Sequence, residues 1–263
     1  YSDAYGNQTT DSTTVTVDFA TITGQATHPI AGPTAPWDYR DSVTQVIDAN
    51  GKIIDVGDAD ITATTPDLTP AKVGKPQTVT LTYTDSLGKV HTTDVIVTTT
   101  LSKAKITAVA DQIIIPDEAK KLTATDLVSE LIDAAGNKIT NFDGVTMSGF
   151  DAKAIGPQTV TLTYSDAYGN QTTDSTTVTV DSATLTLQNH TQVAGPKATW
   201  NYADNIKAIT DSKGQSLTLS DAKITVVQRP DLSVAGTYKI VLEYTDDLGQ
   251  AHTETADVEV TAS

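Results

Sequence analysis

No cysteine occurs among the 263 residues, so disulfide bonds cannot stabilise this fold. Small extracellular domains of animals often depend on such bonds, and we therefore expect either a cytosolic protein or a protein of a Gram-positive cell surface. The sequence also lacks an apolar run of about 18 residues, the length an apolar helix needs to cross a membrane. We expect no membrane insertion.

Positive charge is scarce: 17 Lys and Arg stand against 33 Asp and Glu, for a formal net charge of −16. This excess repels phosphate backbones and anionic lipids, so we expect no nucleic-acid partner. Aromatic residues make up only 5% of the chain, and methionine occurs once. Threonine and valine are abundant instead, and β-branched side chains favour strands over helices.

A Tyr-[Ser/Thr]-Asp triplet recurs along the chain at Tyr1, Tyr83, Tyr164 and Tyr244, with spacings of 82, 81 and 80 residues. Each triplet continues into a glycine three residues after the aspartate. The aspartate can bond its own backbone and the glycine can adopt positive φ, so the motif predicts a hairpin turn. The chain is therefore built from repeats of about 80 residues.

The segment before each later triplet alternates between apolar and polar residues, as in Val79, Leu81 and Tyr83. Period-two alternation predicts antiparallel strands with one buried face. Valines 14 residues past each tyrosine mark a second strand, at Val97, Val178 and Val258. A second Asp-x-x-Gly hairpin lies upstream in each repeat, at residues 48–51, 133–136 and 211–214.

The repeats are of two types. Residues 19–100 and 182–263 are type A and share Gly-Pro followed by Trp-[Asp/Asn]-Tyr, whereas residues 101–181 are type B and carry Ile-Ile-Ile-Pro instead. Residues 1–18 are identical to residues 164–181, so we interpret them as the C-terminal hairpin of a truncated preceding type B repeat. The unit duplicated most recently was therefore a pair of repeats.

Short strands and two hairpins in each repeat predict an all-β fold of tandem immunoglobulin-like β-sandwiches. No Gly/Ser-rich or Pro-rich spacer separates the repeats, so we expect them to be arranged end to end as an elongated, monomeric rod. The segment 117–122 of the type B repeat is expected to form a helical turn.

The repeat ends VTLTYTDSLGKVHTTDVIV and VTLTYSDAYGNQTTDSTTVTV resemble bacterial immunoglobulin-like repeats of group 3. The preceding glycines, Gly74, Gly156 and Gly236, fit the same pattern. The resemblance implies a cell-surface protein of a Gram-positive bacterium, cell-wall anchored or secreted. It is similar to lactobacillus-type adhesins, which implies host mucin glycans or host cell-surface molecules as partners.

Residues for catalysis or for a cofactor are not recognisable, and we expect no enzyme, no catalytic residue, no cofactor and no metal site. His28, His91, His190 and His252 are interpreted as solvated surface residues. The carboxylates of Asp55, Asp58 and Asp60 would suit a weak Ca²⁺ site, but the sister repeat keeps only one of them, which favours a solvated loop.

Other side chains allow two interpretations each. The Trp/Tyr pairs of the type A repeats could stack on sugars or anchor the core, and the core is favoured; they are Trp37 with Tyr39 and Trp200 with Tyr202. Tyr5 and Tyr168 are expected to be more exposed. A Lys–Asn isopeptide bond finds only a loose match in Lys103 or Lys105 with Asn170. The Asn-x-Thr triplets at Asn7, Asn170 and Asn189 are interpreted as turn residues.

Three functions remain open. The first is an extended stalk that contributes to adhesion to mucus or host cells. The second is a purely structural spacer that projects a distal binding domain. The third is a set of accessory modules of a secreted carbohydrate-active enzyme. The sequence leaves the ligand unknown.

Overall fold

The computed structural model describes residues 1–262, and nearly all of its regular structure is β. Each predicted repeat contributes its own set of strands. In residues 19–100 they are β1 (Thr21–Gly24), β2 (Val43–Ile47), β3 (Ile53–Ile54), β4 (Asp60–Ala63), β5 (Gln77–Thr84) and β6 (Val90–Val97). These strands form two sheets with the orders β1-β2-β3 and β4-β5-β6. Two 3₁₀ turns, Tyr39–Ser42 and Pro70–Lys72, complete this part.

Residues 101–181 follow the same plan with longer final strands. The strands are β7 (Lys105–Ala108), β8 (Gln112–Ile114), β9 (Val128–Ile132), β10 (Lys138–Ile139), β11 (Val145–Ser148), β12 (Gly156–Ser165) and β13 (Gln171–Val180). They form sheets with the orders β10-β9-β7 and β11-β12-β13-β8. The expected helical turn is present as α1 (Pro116–Ala119), and a 3₁₀ turn spans Ala124–Leu127.

The last repeat has the strands β14 (Thr184–Leu187), β15 (His190–Val193), β16 (Ile206–Thr210), β17 (Lys223–Gln228), β18 (Gly236–Thr245) and β19 (Ala251–Thr261), with a 3₁₀ turn at Tyr202–Asn205. The sheets have the orders β14-β16 and β15-β19-β18-β17. An early strand lies parallel to the last strand in both later repeats, β8 with β13 and β15 with β19. The predicted all-β sandwich fold is confirmed.

Three hydrophobic clusters form the cores, and each draws its buried residues from one third of the chain. The predicted alternation places its apolar residues as expected, because Val79, Leu81 and Tyr83 are all buried. The later cores use Val160 and Leu162 in β12, and Ile240 and Leu242 in β18. Burying each such side chain contributes about 1.5–3 kcal/mol, which lets small cores form without disulfides.

The described chain divides into two compact units. One consists of residues 1–105 with 132–138 and 165–171, and the other of residues 106–131, 139–164 and 172–262. The two turns of the type B repeat, within residues 132–138 and 165–171, thus belong to the same unit as residues 1–105. The repeat boundaries after residues 18, 100 and 181 stay a prediction. Within residues 1–262, no helix has the length and apolar character needed to cross a membrane.

Residues 1–18 were predicted to be a hairpin, and only part of that hairpin forms. A single bridge joins Ser2 to Gln8 around the turn, and no named strand precedes Thr21. The valines that would face a core are exposed, Val15 at 81% and Val17 at 62%. A lone two-stranded hairpin is marginal in water, because neither face is covered.

Candidate functional site

The Asp-x-x-Gly turns share one geometry throughout the chain. In each, the first aspartate accepts hydrogen bonds through Oδ1 from the amides two and four residues later, and the glycine has positive φ. The seven turns begin at Asp3, Asp48, Asp85, Asp133, Asp166, Asp211 and Asp246. Because these backbone bonds use Oδ1 alone, Oδ2 of the aspartate can accept a bond from a side chain of its own turn or from a neighbour.

The turn between β12 and β13 contacts the loop that follows β1. The Asn170 side-chain amide donates to the Ala31 carbonyl at 2.8 Å, and the Thr34 amide donates to the Tyr168 carbonyl at 3.0 Å. Gly32 permits this approach, since a Cβ atom there would lie 2.2 Å from the Tyr168 carbonyl oxygen. The contact fixes a turn of the predicted type B repeat against a loop of the preceding type A repeat.

The same turn is also bonded at its base. Ser102 Oγ donates to Asp166 Oδ2 at 2.6 Å, and Asn170 donates to that oxygen at 3.0 Å. The turn is therefore held from two sides, by the start of its own repeat and by the preceding loop. Both donors to Asp166 Oδ2 are neutral groups.

A different arrangement occurs at the turn between β5 and β6. His91 Nε2 lies 2.8 Å from Asp85 Oδ2 and 3.3 Å from Asp18 Oδ2, and Lys89 Nζ lies 3.7 Å from the latter. The Asp85 side chain is fully buried and that of His91 is 22% exposed. We call Asp18, Asp85 and His91 the first cluster.

The turn between β18 and β19 repeats this arrangement. His252 Nε2 lies 2.7 Å from Asp246 Oδ2 and 3.5 Å from Asp181 Oδ2. Both carboxylates are buried, and the His252 side chain is 18% exposed. Gln250 occupies the position that Lys89 holds in the first turn. We call Asp181, Asp246 and His252 the second cluster.

In both clusters, one carboxylate comes from the turn before the histidine. The other comes from the last residue of the segment that precedes the repeat. Asp18 and Asp181 are the last residues of the two identical segments, and each orients its Oδ1 by accepting the amide two residues later. The histidine rings pack against the tyrosines of the repeat motif at centroid distances of 6.0 and 5.8 Å. One ligand atom from each of the three residues lies within 4.8 Å of the others, close enough for one metal ion.

Burial and hydrogen bonding act in opposite directions on these carboxylates. Burial alone would raise the pKa of Asp85, but hydrogen bonds from His91 and from the backbone amides of the turn lower that pKa to about 2. The pKa of Asp246 is likewise lowered, because bonds from His252 and the turn amides outweigh burial. Burial, together with the neighbouring Asp246 carboxylate, raises the pKa of Asp181.

The prediction that His91 and His252 are solvated surface residues was therefore wrong. Both are mostly buried and contact carboxylates, because the strand after each turn places its histidine beside the buried aspartate that begins the turn. The sequence analysis did not identify Asp18 and Asp181 as candidate site residues. The signal available was that the two identical segments end in the same aspartate and are both followed by a histidine-bearing repeat.

The Trp/Tyr pairs pack against the hydrophobic clusters, in agreement with the favoured core interpretation. Trp200 Nε1 donates to Asn205 Oδ1 at 2.8 Å. The counterpart, Trp37 Nε1, is buried and has no hydrogen-bond partner within residues 1–262. Ser42 stands where the later repeat has Asn205, and its shorter side chain bonds Thr27 instead.

The remaining candidates lie apart from the clusters. Asp55 accepts the Gly57 amide in a local turn, and within the described chain Asp55, Asp58 and Asp60 do not form a three-ligand group. The amide of Asn170 is engaged by Ala31 and Asp166, and Lys103 packs against Gly136, so the isopeptide match finds no support.

The other polar candidates occupy separate surface positions. His28 is exposed, and His190 lies 3.9 Å from Asp204. Asn7 donates to Asp3, and Asn189 accepts the Asp257 amide. Tyr5 is 92% exposed, as predicted. Tyr168 is half-buried and thus less exposed than predicted, because its turn contacts the preceding loop.

Comparison with known proteins supports the family resemblance over part of the chain. Residues 119–182 and 198–260 match the family model of the bacterial Ig-like domain (group 3), so the resemblance is confirmed for two of the repeats. No curated protein matches the chain.

Solved structures that align with this chain include several cadherin ectodomains. Drosophila N-cadherin EC1-4 aligns at 12% identity and a TM-score of 0.23 over 95% of this chain and 76% of its own. Mouse cadherin-23 EC22-24 aligns at 10% identity and a TM-score of 0.19, over 95% of this chain and 97% of its own. The M60 catalytic domain with two CBM51 domains from Clostridium perfringens ZmpB aligns at 11% identity and 0.26, over 94% of this chain and 31% of its own.

Proposed function

We propose that this chain is the repeat region of a bacterial cell-surface adhesin, in which it forms an extended stalk that contributes to adhesion to mucus or host cells. The observation that carries the proposal is the direct bonding between consecutive repeats. The Asn170 turn holds the loop at Ala31, and the second cluster joins the end of β13 to the β18–β19 turn. Such contacts suit a load-bearing chain of domains.

The bonded contacts favour a stalk over a flexible chain. Each contact involves backbone groups or buried side chains, so bending at that point would break hydrogen bonds that contribute about 0.5–1.5 kcal/mol each. Sandwiches that carry seven-residue strands add at least about 25 Å each along the chain. Tandem copies would therefore carry a binding region well beyond the cell wall.

Adhesion by this chain should not depend on positive charge. With a net charge of −16, the chain is repelled overall by sialylated or sulfated glycans. We therefore propose many weak contacts through hydrogen bonds and apolar groups, which gain strength when several repeats act on one mucin molecule. The proposed setting is the surface of a Gram-positive bacterium, cell-wall anchored or secreted, with the chain acting as a monomer and without catalytic activity.

Mucin-plate binding tests the proposal most directly. The purified chain is compared with fusions that join two or three copies of it in tandem, at equal molar concentration of molecules. We expect weak binding by one copy and a steep rise with copy number. A single copy that binds as tightly as the tandem forms would contradict the multivalent mechanism.

Absence of mucin and host-cell binding at every copy number would favour the alternative of a pure spacer. A catalytic domain in the flanking gene sequence would favour accessory modules of a carbohydrate-active enzyme. The Trp37 groove, lined also by Gly32, Pro33 and Leu68, offers a first site to mutate if binding is found. Trp37→Ala should be compared with Ile53→Ala, an exposed apolar residue outside the groove.

A further inference from the structure

We propose that the first and second clusters are binding sites for a divalent transition-metal ion of the zinc class. In each cluster one ligand atom from each of the three residues lies within 4.8 Å of the others, and the imidazole Nε2 atom contacts both carboxylate Oδ2 atoms. Two oxygens and one nitrogen suit Zn²⁺, which binds Asp and His at about 2.0–2.2 Å and keeps a fourth position for water. Ca²⁺ prefers oxygen ligands throughout and fits this set less well.

The distances agree with such an ion. Tetrahedral Zn²⁺ with these bond lengths separates its ligand atoms by about 3.4 Å. The Nε2 atoms lie 3.3 Å from Asp18 and 3.5 Å from Asp181. Their shorter contacts, 2.8 Å to Asp85 and 2.7 Å to Asp246, are those of a hydrogen-bonded pair and would widen by about 0.6 Å when an ion replaces the proton.

Each ligand is oriented by a second contact that an ion would not disturb. Asp85 and Asp246 use Oδ1 for two backbone amides of their turns, which leaves Oδ2 for the cluster. Asp18 and Asp181 use Oδ1 for one amide each. The rings of Tyr83 and Tyr244 support the imidazoles. Outer contacts of this kind fix ligand geometry at metal sites.

The charge in the second cluster calls for a cation. Asp181 and Asp246 are both buried, and their Oδ2 atoms lie 3.5 and 2.7 Å from the same His252 Nε2 atom. Two facing carboxylates are stabilised by a counter-charge that both can share. A metal-bound imidazole has no proton on Nε2, so a proton held there moves to Nδ1 of a neutral ring or leaves a charged ring for solvent.

The two clusters differ in one charged neighbour. Lys89 Nζ lies 3.7 Å from Asp18 Oδ2 and would oppose an incoming cation, whereas the second cluster has neutral Gln250 at the equivalent position. We therefore expect the second cluster to bind more tightly. The type B turn supplies an internal control, because Thr172 stands in place of the histidine and Ser102 already bonds Asp166.

The experiment uses the full chain, stripped with a chelator and dialysed against micromolar Zn²⁺, with bound metal counted by mass spectrometry and affinities measured by calorimetry. We expect two ions per chain with unequal affinities. His252→Thr, which copies the type B residue, should remove the tighter site and leave one ion. His28→Gln changes an exposed histidine and should leave the count at two.

Lys89→Gln keeps every ligand and tests the charge argument without risk to the sites. It should tighten the weaker site by about tenfold, the effect of removing one nearby positive charge at the protein surface. Co²⁺ should give the intense visible absorption of a tetrahedral site in the wild type and lose it in the variant that combines His91→Thr with His252→Thr. Circular dichroism shows whether each variant is folded.

Several results would overturn the proposal. They are no saturable Zn²⁺ uptake by the folded wild type, an unchanged ion count in the double histidine variant, and binding of Ca²⁺ as tight as that of Zn²⁺. A histidine-dependent change in stability with pH but without metal uptake would identify the clusters as proton sites instead. The proposal does not depend on adhesion, since a spacer would carry the same sites.

Discussion

The first hundred residues and the last hundred follow one plan and differ in how completely it is built. Both begin with the same 18-residue segment and continue into a type A repeat. In residues 164–181 the segment forms the end of β12 and the whole of β13, with Val178 fully buried. In residues 1–18 the same letters form one turn, and Val15 is 81% exposed.

The comparison distinguishes the turn, which nearby residues form by themselves, from the strands, which need distant partner strands. The Asp3 turn forms with the same hydrogen bonds as the Asp166 turn, because aspartate and glycine within five residues supply all of them. The strands need partners, since β12 and β13 lie between β11 and β8 in a four-stranded sheet. In both copies, the last aspartate still reaches a histidine of the following repeat.

The largest expected effect comes from one substitution made in both copies. Val178→Ala removes two methyl groups from a core position and should lower the free energy of unfolding by about 2–3 kcal/mol. Val15→Ala makes the same change in the same sequence context on an exposed side chain and should change it by less than about 0.5 kcal/mol. Urea denaturation measures both, and equal effects would contradict the described burial.

A second pair of variants tests the contact between the type B turn and the preceding loop. Gly32→Ala places a Cβ atom against the Tyr168 carbonyl and should cost about 1–2 kcal/mol. Gly195 is the matching residue of the last repeat, and a Cβ atom there meets nothing within 4 Å. Gly195→Ala should therefore be tolerated. Hydrogen exchange of the Thr34 amide reports the contact, and unchanged protection in Gly32→Ala would argue against it.

Much of the fold could be predicted from such local patterns. The alternation of Val79, Leu81 and Tyr83 identified the buried face of β5, and the Asp-x-x-Gly motifs located the turns. The sequence left the extent of structure in residues 1–18 open, because the same eighteen residues form long strands at 164–181, where neighbouring strands cover them. Sheet pairing depends on residues far away in the sequence, and no local motif reports it.

The two tryptophans offer a third matched test. Asn205→Ser should remove the bond to Trp200 Nε1 and cost about 1 kcal/mol, because a buried donor loses its partner. Ser42→Asn should supply the missing partner of Trp37 Nε1 and gain up to about 1 kcal/mol. Thermal unfolding of the two variants should shift in opposite directions. Destabilisation by both would show that the Ser42 site lacks room for the longer side chain.

A fourth comparison is the acid response of the two clusters without metal. Asp85, with a pKa of about 2, adds stability that is fully present above its unfolded value of 3.8 and lost as the pH falls towards 2. Asp181 has a raised pKa, so its protonation on acidification favours the folded state. Carboxyl NMR titration with chelator present should give a midpoint near 2 for Asp85 and above 3.8 for Asp181. The reverse order would contradict the cluster geometry.

The candidate site was less predictable than the fold. His91 and His252 were visible as a repeated position, but their burial depends on how β6 and β19 return past their turns. Asp18 and Asp181 approach them from the preceding segment, in contacts that span more than 70 residues. Composition and spacing report neither approach, and only the folded arrangement brings the three side chains together.

Small-angle X-ray scattering of the full chain tests the central proposal that these sandwiches form an extended stalk. Three sandwiches adding about 25 Å each predict a maximum dimension of at least about 75 Å. A compact globule of this length would have a radius of gyration of about 18 Å and a diameter close to about 47 Å. The longer dimension would support the stalk, and the globular value would contradict it.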